Sequence, residues 1–185
     1  MDENDNKKMV VVTGTIVPLV DGERHEIRCM RLHPEYDNTI KTSWKNDVAV
    51  ITWKTPVKPN NYQSPIPLAS KDHTTSKYYG TINGCGRIGV NLRSALMLKY
   101  VDVNVLSQEQ CLNSHNNPPT NTKHVCTLDR IGTEACDGDS GGPLIVNGEF
   151  SGVLSWVTSC VLGKPDVLTN VYYFRDFIRS AQLTC

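Results

Sequence analysis

The sequence predicts an all-β chain, a Greek-key barrel architecture finished by one C-terminal α-helix. Three observations carry this. Short apolar runs rich in β-branched residues recur with turn residues between them. Asn147-Gly148 lies between Leu144-Ile145-Val146 and Phe150 to Trp156, and an Asn-Gly pair between apolar runs is the strongest hairpin signal in the chain. Finally, Phe174, Phe177, Ile178 and Ala181 fall at i, i+3, i+4 and i+7, an apolar stripe for a terminal helix starting near Tyr172.

Taken in order, Met9 to Thr15 reads as the first strand, Asp21-Gly22 as a turn and His25 to Leu32 as the second strand. His33-Pro34 breaks that strand, and residues 37–46 form a surface loop. A third apolar run follows, Asp47-Val48-Ala49-Val50-Ile51, with Asp47 at its mouth. Pro56, Pro59, Pro65 and Pro67 then punctuate a linker placed at about residues 56–76. Tyr78 to Gly86 is a glycine-rich stretch in which Gly84 and Gly86 bracket Cys85, and Leu96 to Val105 alternates as a strand. Ser107-x-x-Gln110 is a capping box for a short helix leading into Cys111, and His124 to Leu128 returns as a strand carrying Cys126. No internal repeat or low-complexity segment interrupts the chain.

At 185 residues the chain is long enough for one sizeable core, and a net charge of zero with a pI near 6.9 lacks the basic excess that a nucleic-acid partner selects. No apolar run reaches the roughly 18 residues that span a bilayer, and the polar start, Met1 to Lys8, carries no secretory leader. Seven cysteines nonetheless argue for an oxidising, extracellular compartment. An N-terminal truncation reconciles the two. Neither Cys-x-x-Cys nor His-x-x-x-His occurs, so no metal and no cofactor is expected.

The chemistry centres on Cys136-Asp137-Gly138-Asp139-Ser140-Gly141-Gly142-Pro143-Leu144. Glycines on a tight turn adopt angles that side chains forbid and let a carbonyl approach closely, as an exposed nucleophile requires. Ser140 is the candidate nucleophile. The N–H groups of Gly138 and Ser140 are candidates for an oxyanion hole.

This run closely resembles the active-site segment of chymotrypsin-like serine proteases, most of all in the look of arthropod digestive chymotrypsins. The resemblance extends from about residue 9 to residue 183. It implies a double Greek-key β-barrel of two six-stranded barrels, the active site lying in the cleft between them. Residues 1–70 are then a remnant of the N-terminal barrel with its linker, and 71–185 the C-terminal barrel and terminal helix. Asn46-Asp47-Val48-Ala49-Val50 resembles the segment whose aspartate orients the catalytic histidine, and Ser155 the serine that holds that carboxylate. The resemblance also implies the disulfides Cys136–Cys160 and Cys111–Cys126, each worth roughly 3 kcal/mol in the chain-entropy model. Cys29, Cys85 and Cys185 are left over, with Cys29 to Cys185 a candidate further bridge.

By the same resemblance Glu134, Ser155, Trp156, Val157 and Asp166 line the primary specificity pocket. Glu134 at its base would attract Arg or Lys, Val157 would narrow a mouth where glycine is usual, and Asp166 would share the cavity with Glu134. Two carboxylates in one small cavity repel, so one pKa is expected to rise. The partners implied are protein or peptide substrates and protease inhibitors, met by a secreted monomer without a nucleic acid or membrane partner.

Two departures matter. The family carries its catalytic histidine in an Ala-Ala-His-Cys segment, and none of His25, His33, His73, His115 and His124 has that context. The family's free N-terminal ammonium, which pairs with the aspartate before the nucleophile, also has no counterpart, so Asp139 is expected to turn outward or take up a proton. The Gly138 N–H would then rotate out of the oxyanion position, as in a zymogen. The sequence thus reads as a serine endopeptidase by family, inactive alone and with exposed strand edges; a non-catalytic, protein-binding homologue is the alternative.

Overall fold

In the computed structural model, which describes residues 9–89, 91–115, 120–130, 134–158, 160 and 163–185, two antiparallel layers are joined by an extended linker and a terminal helix. Strands β1 (Val10–Thr13), β2 (Glu23–Leu32) and β3 (Ala49–Trp53) form an open sheet with β2 in the centre. Its register sets Val11 against His25 and Arg31 against Val50. Strands β4 (Tyr78–Gly84), β5 (Lys99–Val105), β6 (His124–Leu128), β7 (Pro143–Val146), β8 (Glu149–Trp156) and β9 (Asp166–Asn170) close into a barrel in the order β4-β5-β6-β9-β8-β7. Helix α1 (Gln108–Ser114) joins β5 to β6, and α2 (Val171–Thr184) ends the chain. One barrel is complete and the other partly formed, as expected. Closure satisfies both edges of every barrel strand, whereas β1 and β3 each keep one edge unpaired among the described residues.

Local chemistry accounts for the main elements. Asn147 and Gly148 both have left-handed backbone angles, φ 50° and 76°, the conformation that a two-residue turn between β7 and β8 needs. The capping box at α1 forms in full: Gln110 N–H donates to Ser107 Oγ at 3.2 Å and Ser107 N–H to Gln110 Oε1 at 3.0 Å. Asn170 caps α2 by accepting from Tyr172 N–H at 3.2 Å.

The barrel core is built from Ile82, Val103, Val105, Val125, Leu144, Val146, Leu154 and Leu168. A second cluster, Val48 with Val171, Phe174 and Ile178, sets α2 against β3 and, through Phe150 and Val153, against β8. The buried face of α2 begins at Val171, one residue ahead of the expected start, and Phe177 is only partly buried. The linker is pinned to β8, with Phe150 N–H donating to Pro67 O at 2.8 Å and Ala69 N–H to Phe150 O at 3.0 Å.

Three disulfides staple these layers. Cys111–Cys126 and Cys136–Cys160 pair as the resemblance implies, with Cα atoms 5.3 and 4.8 Å apart, and Cys29–Cys185 ties β2 to the end of α2 at 6.0 Å. Cys85 is a free thiol. No helix among the described residues is long and apolar enough to cross a membrane.

Candidate active site

Ser140 lies exposed on a turn that is cross-braced from both sides. Within the turn, Asp139 N–H donates to Cys136 O at 3.0 Å and Gly142 N–H to Asp139 O at 2.8 Å. Across to β8, Gly141 N–H donates to Leu154 O at 2.8 Å and Leu154 N–H to Gly142 O at 2.9 Å. Gly138 and Gly141 take φ of 96° and 83°, so glycine is required at both. At Gly142 an added Cβ would lie 2.6 Å from Asn83 O, which makes that position a close backbone approach.

Asp47 is reached from the same strand. Ser155 Oγ donates to Asp47 Oδ2 at 2.6 Å, and Thr169 Oγ1 on β9 donates to the Asp47 carbonyl at 2.7 Å. Ser155 follows Leu154, so one step along β8 links the aspartate clamp to the serine turn. Burial pushes the Asp47 carboxyl pKa up, partly offset by the Ser155 hydroxyl. Sequence reasoning names Asp47, Ser155 and Ser140, of which the structure joins Ser155 to Asp47, and it does not name Thr169, a polar residue in a strand buried along its whole length.

The five histidines are engaged elsewhere. His25 bonds Thr13 Oγ1 at 2.8 Å, and the His33 ring packs on Phe174 and Phe177. His73 bonds Ser151 Oγ at 3.0 Å, and His115 bonds Pro165 O at 2.9 Å. His124 accepts from Asn121 N–H at 3.2 Å, and burial lowers its pKa to about 4.

Asp139 corrects an expectation. Its carboxylate turns inward, accepting Gly86 N–H at 2.6 Å and Cys136 N–H at 3.0 Å. Two backbone donors satisfy it, and Gly84 and Gly86 make the room, since a Cβ on either would collide with the carboxylate. The neighbouring peptide is anchored as well. Asp137 O accepts from Arg87 N–H at 2.9 Å, so the Gly138 N–H on the same planar trans unit faces the other way. Among the described residues, neither the Gly138 nor the Ser140 N–H is taken up by an internal acceptor.

The pocket residues are not gathered into one described cavity. Glu134 accepts from Gly163 N–H at 2.7 Å and lines a cavity of about 130 Å³ with Asp139, Ile82 and Val101. Val157 borders another, of about 200 Å³, with Arg87, Asp137 and Cys160. Trp156 belongs to a core cluster with the Cys111–Cys126 bridge, and its ring packs on Trp44 and His115. Asp166 is almost fully buried and accepts from Ala135 N–H at 3.0 Å. Desolvation, with the charges of Glu134 and Asp139 adding to it, raises its pKa to about 7, so the expected rise falls on Asp166. Among the described residues no group of side chains is arranged to hold a metal ion.

A closed six-stranded barrel, a half-formed partner sheet and a Gly-Asp-Ser-Gly-Gly turn braced by the strand that clamps an aspartate define the chymotrypsin-like class. Comparison narrows the class to a family. The Trypsin family model matches residues 2–178, and the chain belongs to that family. It is 32% identical over 138 residues to Chymotrypsin-2 of Vespa crabro, a match covering 75% of this chain and 62% of that protein. It is 34% identical to Trypsin V-B of Rattus norvegicus, covering 81% and 60%, and 35% identical to a snake venom serine protease homolog of Bothrops jararacussu, covering 75% and 55%. The fold matches neuropsin, a serine protease expressed in the limbic system of mouse brain, with TM-score 0.84 at 22% identity over 94% of this chain and 78% of that one. The chain spans about three fifths of the length of the curated relatives it matches.

Proposed function

We propose that this chain carries the nucleophile and the orienting aspartate of a serine endopeptidase, and that alone it performs no acyl transfer. Ser140 Oγ attacks a peptide carbonyl, the Gly138 and Ser140 N–H groups receive the oxyanion, and Asp47 orients the base that takes the serine proton. The carrying observation is the short relay from the Asp47 carboxylate through Ser155 and Leu154 to the Ser140 turn. A serine hydroxyl needs a neighbouring base to become a useful nucleophile, and each of the five histidines is committed to another partner. The substrates are proteins or peptides met outside the cell by a monomer, and protease inhibitors would bind the same cleft.

The second reading is a non-catalytic homologue that binds another protein through the same cleft. Its support is the similarity to the snake venom serine protease homolog, set beside the commitment of every histidine. The test of the first reading is reaction of the purified chain with an organophosphonate serine probe and with peptide esters. No stoichiometric labelling and no acyl-enzyme burst are expected; labelling that disappears in Ser140→Ala would refute the claimed inactivity.

A further inference from the structure

The connection between β4 and β5 is apolar and uncovered. Ile88, Leu92, Leu96, Met97, Leu98 and Tyr100 are 42–74% exposed, a concentration unlike the single surface hydrophobes that need no explanation. Leu98 N–H donates to Ile16 O at 2.8 Å, and Ile16 belongs to a loop that also exposes Leu19 and Val20. The connection is nevertheless ordered by its backbone. Arg87 and Ser94 form an antiparallel bridge, Ala95 N–H donates to Gly86 O at 2.9 Å and Leu92 N–H to Gly89 O at 3.1 Å, so a short hairpin holds these side chains out in solvent.

Its charge is one-sided. From Gly84 to Val101 the sequence carries Arg87, Arg93 and Lys99 and neither aspartate nor glutamate. Arg87 pairs with Asp137 at 3.5 Å, whereas no described carboxylate pairs with Arg93 or Lys99. From the turn towards the barrel the order runs apolar (Ile88, Leu92), cationic (Arg87, Arg93), apolar (Leu96 to Leu98), cationic (Lys99) and aromatic (Tyr100). Exposed charges set orientation and encounter rate, while apolar contacts supply most of the affinity. A partner complementary to this order alternates carboxylates with apolar side chains. A bilayer matches it less well, because insertion from the turn would leave Leu96 to Leu98 behind the first pair of cations, among the headgroups.

We propose that the β4–β5 hairpin is a docking surface for an acidic segment of another protein in which carboxylates alternate with apolar side chains. None of the hairpin residues belongs to the Ser140 turn or to the Asp47 clamp, so docking is independent of acyl transfer.

The probe is a short fluorescein-labelled peptide in which glutamate alternates with leucine and phenylalanine, presented to the full chain. One control peptide carries lysine for each glutamate, a second carries serine for each leucine and phenylalanine, and vesicles of phosphatidylcholine with phosphatidylserine stand for a membrane. Binding is read by fluorescence polarisation, or by co-sedimentation for the vesicles, and its place by NMR of the Met97 methyl with the Met30 methyl on β2 as reference. The acidic peptide should bind, shift the Met97 signal and leave Met30 unmoved, and its affinity should fall with added salt. Neither control peptide should bind measurably. The doubly reversed protein Arg93→Glu, Lys99→Glu and the apolar variant Leu96→Ser, Leu98→Ser should each bind about tenfold more weakly or worse, since charge reversal turns each exposed attraction into a repulsion and serine removes the apolar contact. All four side chains are exposed, so the urea midpoints of these variants should match the parent's. Ser140→Ala should bind like the parent.

An unmoved Met97 signal, equal binding of the lysine peptide, or affinity unchanged in either variant overturns the inference. Loss of binding in Ser140→Ala would put the peptide in the cleft and overturn it as well. Co-sedimentation with the vesicles in the absence of peptide binding would assign the hairpin to an anionic membrane instead. Should a variant fail to fold, the salt series and the control peptides on the parent chain decide.

Discussion

Replacing Asp166 by asparagine should stabilise the protein in a pH-dependent way, and the size of the effect follows from the site. An ordinary aspartate titrates near 3.8; burial moves Asp166 to about 7. The folded chain therefore holds this proton about three powers of ten more tightly than the unfolded chain does, worth about 4 kcal/mol at about 1.4 kcal/mol per power of ten. For an acid whose folded pKa is raised, stability is greatest below the unfolded pKa and is lost as pH climbs through the folded one. The cost of Asp166 is thus near zero at about pH 3, about 2 kcal/mol at pH 5 and about 4 kcal/mol at pH 8. The asparagine amide keeps an acceptor for Ala135 N–H but carries no charge to desolvate. Urea unfolding of both proteins across this range measures the difference. At pH 8 the gain should appear as a rise in Tm of about 8–16 °C. Parallel pH profiles, or an Asp166→Asn protein less stable at pH 8, would refute the account of a carboxyl whose proton is held by burial.

Three other outcomes follow from specific contacts. Gly86→Ala drives a methyl into the Asp139 carboxylate and should cost about 1–3 kcal/mol, measured by urea unfolding; a neutral result would mean that Asp139 does not occupy the Gly84–Gly86 turn. Ser155→Ala removes the donor that lowers the Asp47 pKa, so the Asp47 carboxyl should titrate higher by NMR than in the parent protein. The double change Cys29→Ser, Cys185→Ser opens a loop with a sequence separation of 156 residues, for which the chain-entropy model gives about 5 kcal/mol. A loss of about 2–5 kcal/mol in thermal or urea unfolding is expected, and no loss would show that packing of α2 alone suffices.

Much of the barrel was legible because its signals are local. Asn147-Gly148, the Ser107–Gln110 box and the Phe174 stripe each act within a few residues, and each appears where the sequence places it. Strand β9 was not singled out: all five of its residues are buried, so Asp166-Val167-Leu168-Thr169-Asn170 shows no alternation. The fate of Asp139 was misread for a related reason. A missing cation suggests an orphaned carboxylate only when backbone donors are left out of account, and the Gly86 N–H comes from 53 residues away in sequence. Nor could spacing alone show that Trp156 packs into the core with Trp44, a contact made across the two layers.

The placement of Asp47 explains why a half-formed first sheet need not disturb the site. Asp47 precedes β3, whose far edge is unpaired among the described residues, and a loop at such an edge would ordinarily be free to shift. Its two anchors come from elsewhere. The side chain is held by Ser155 on β8 and the carbonyl by Thr169 on β9, both strands of the closed barrel. Val48, the next residue, is packed by Val171, Phe174 and Ile178 of α2, the helix that continues directly from β9. The aspartate is thereby registered against β8, the strand that braces the Ser140 turn, and against its neighbour β9, so its position follows the barrel more than its own sheet.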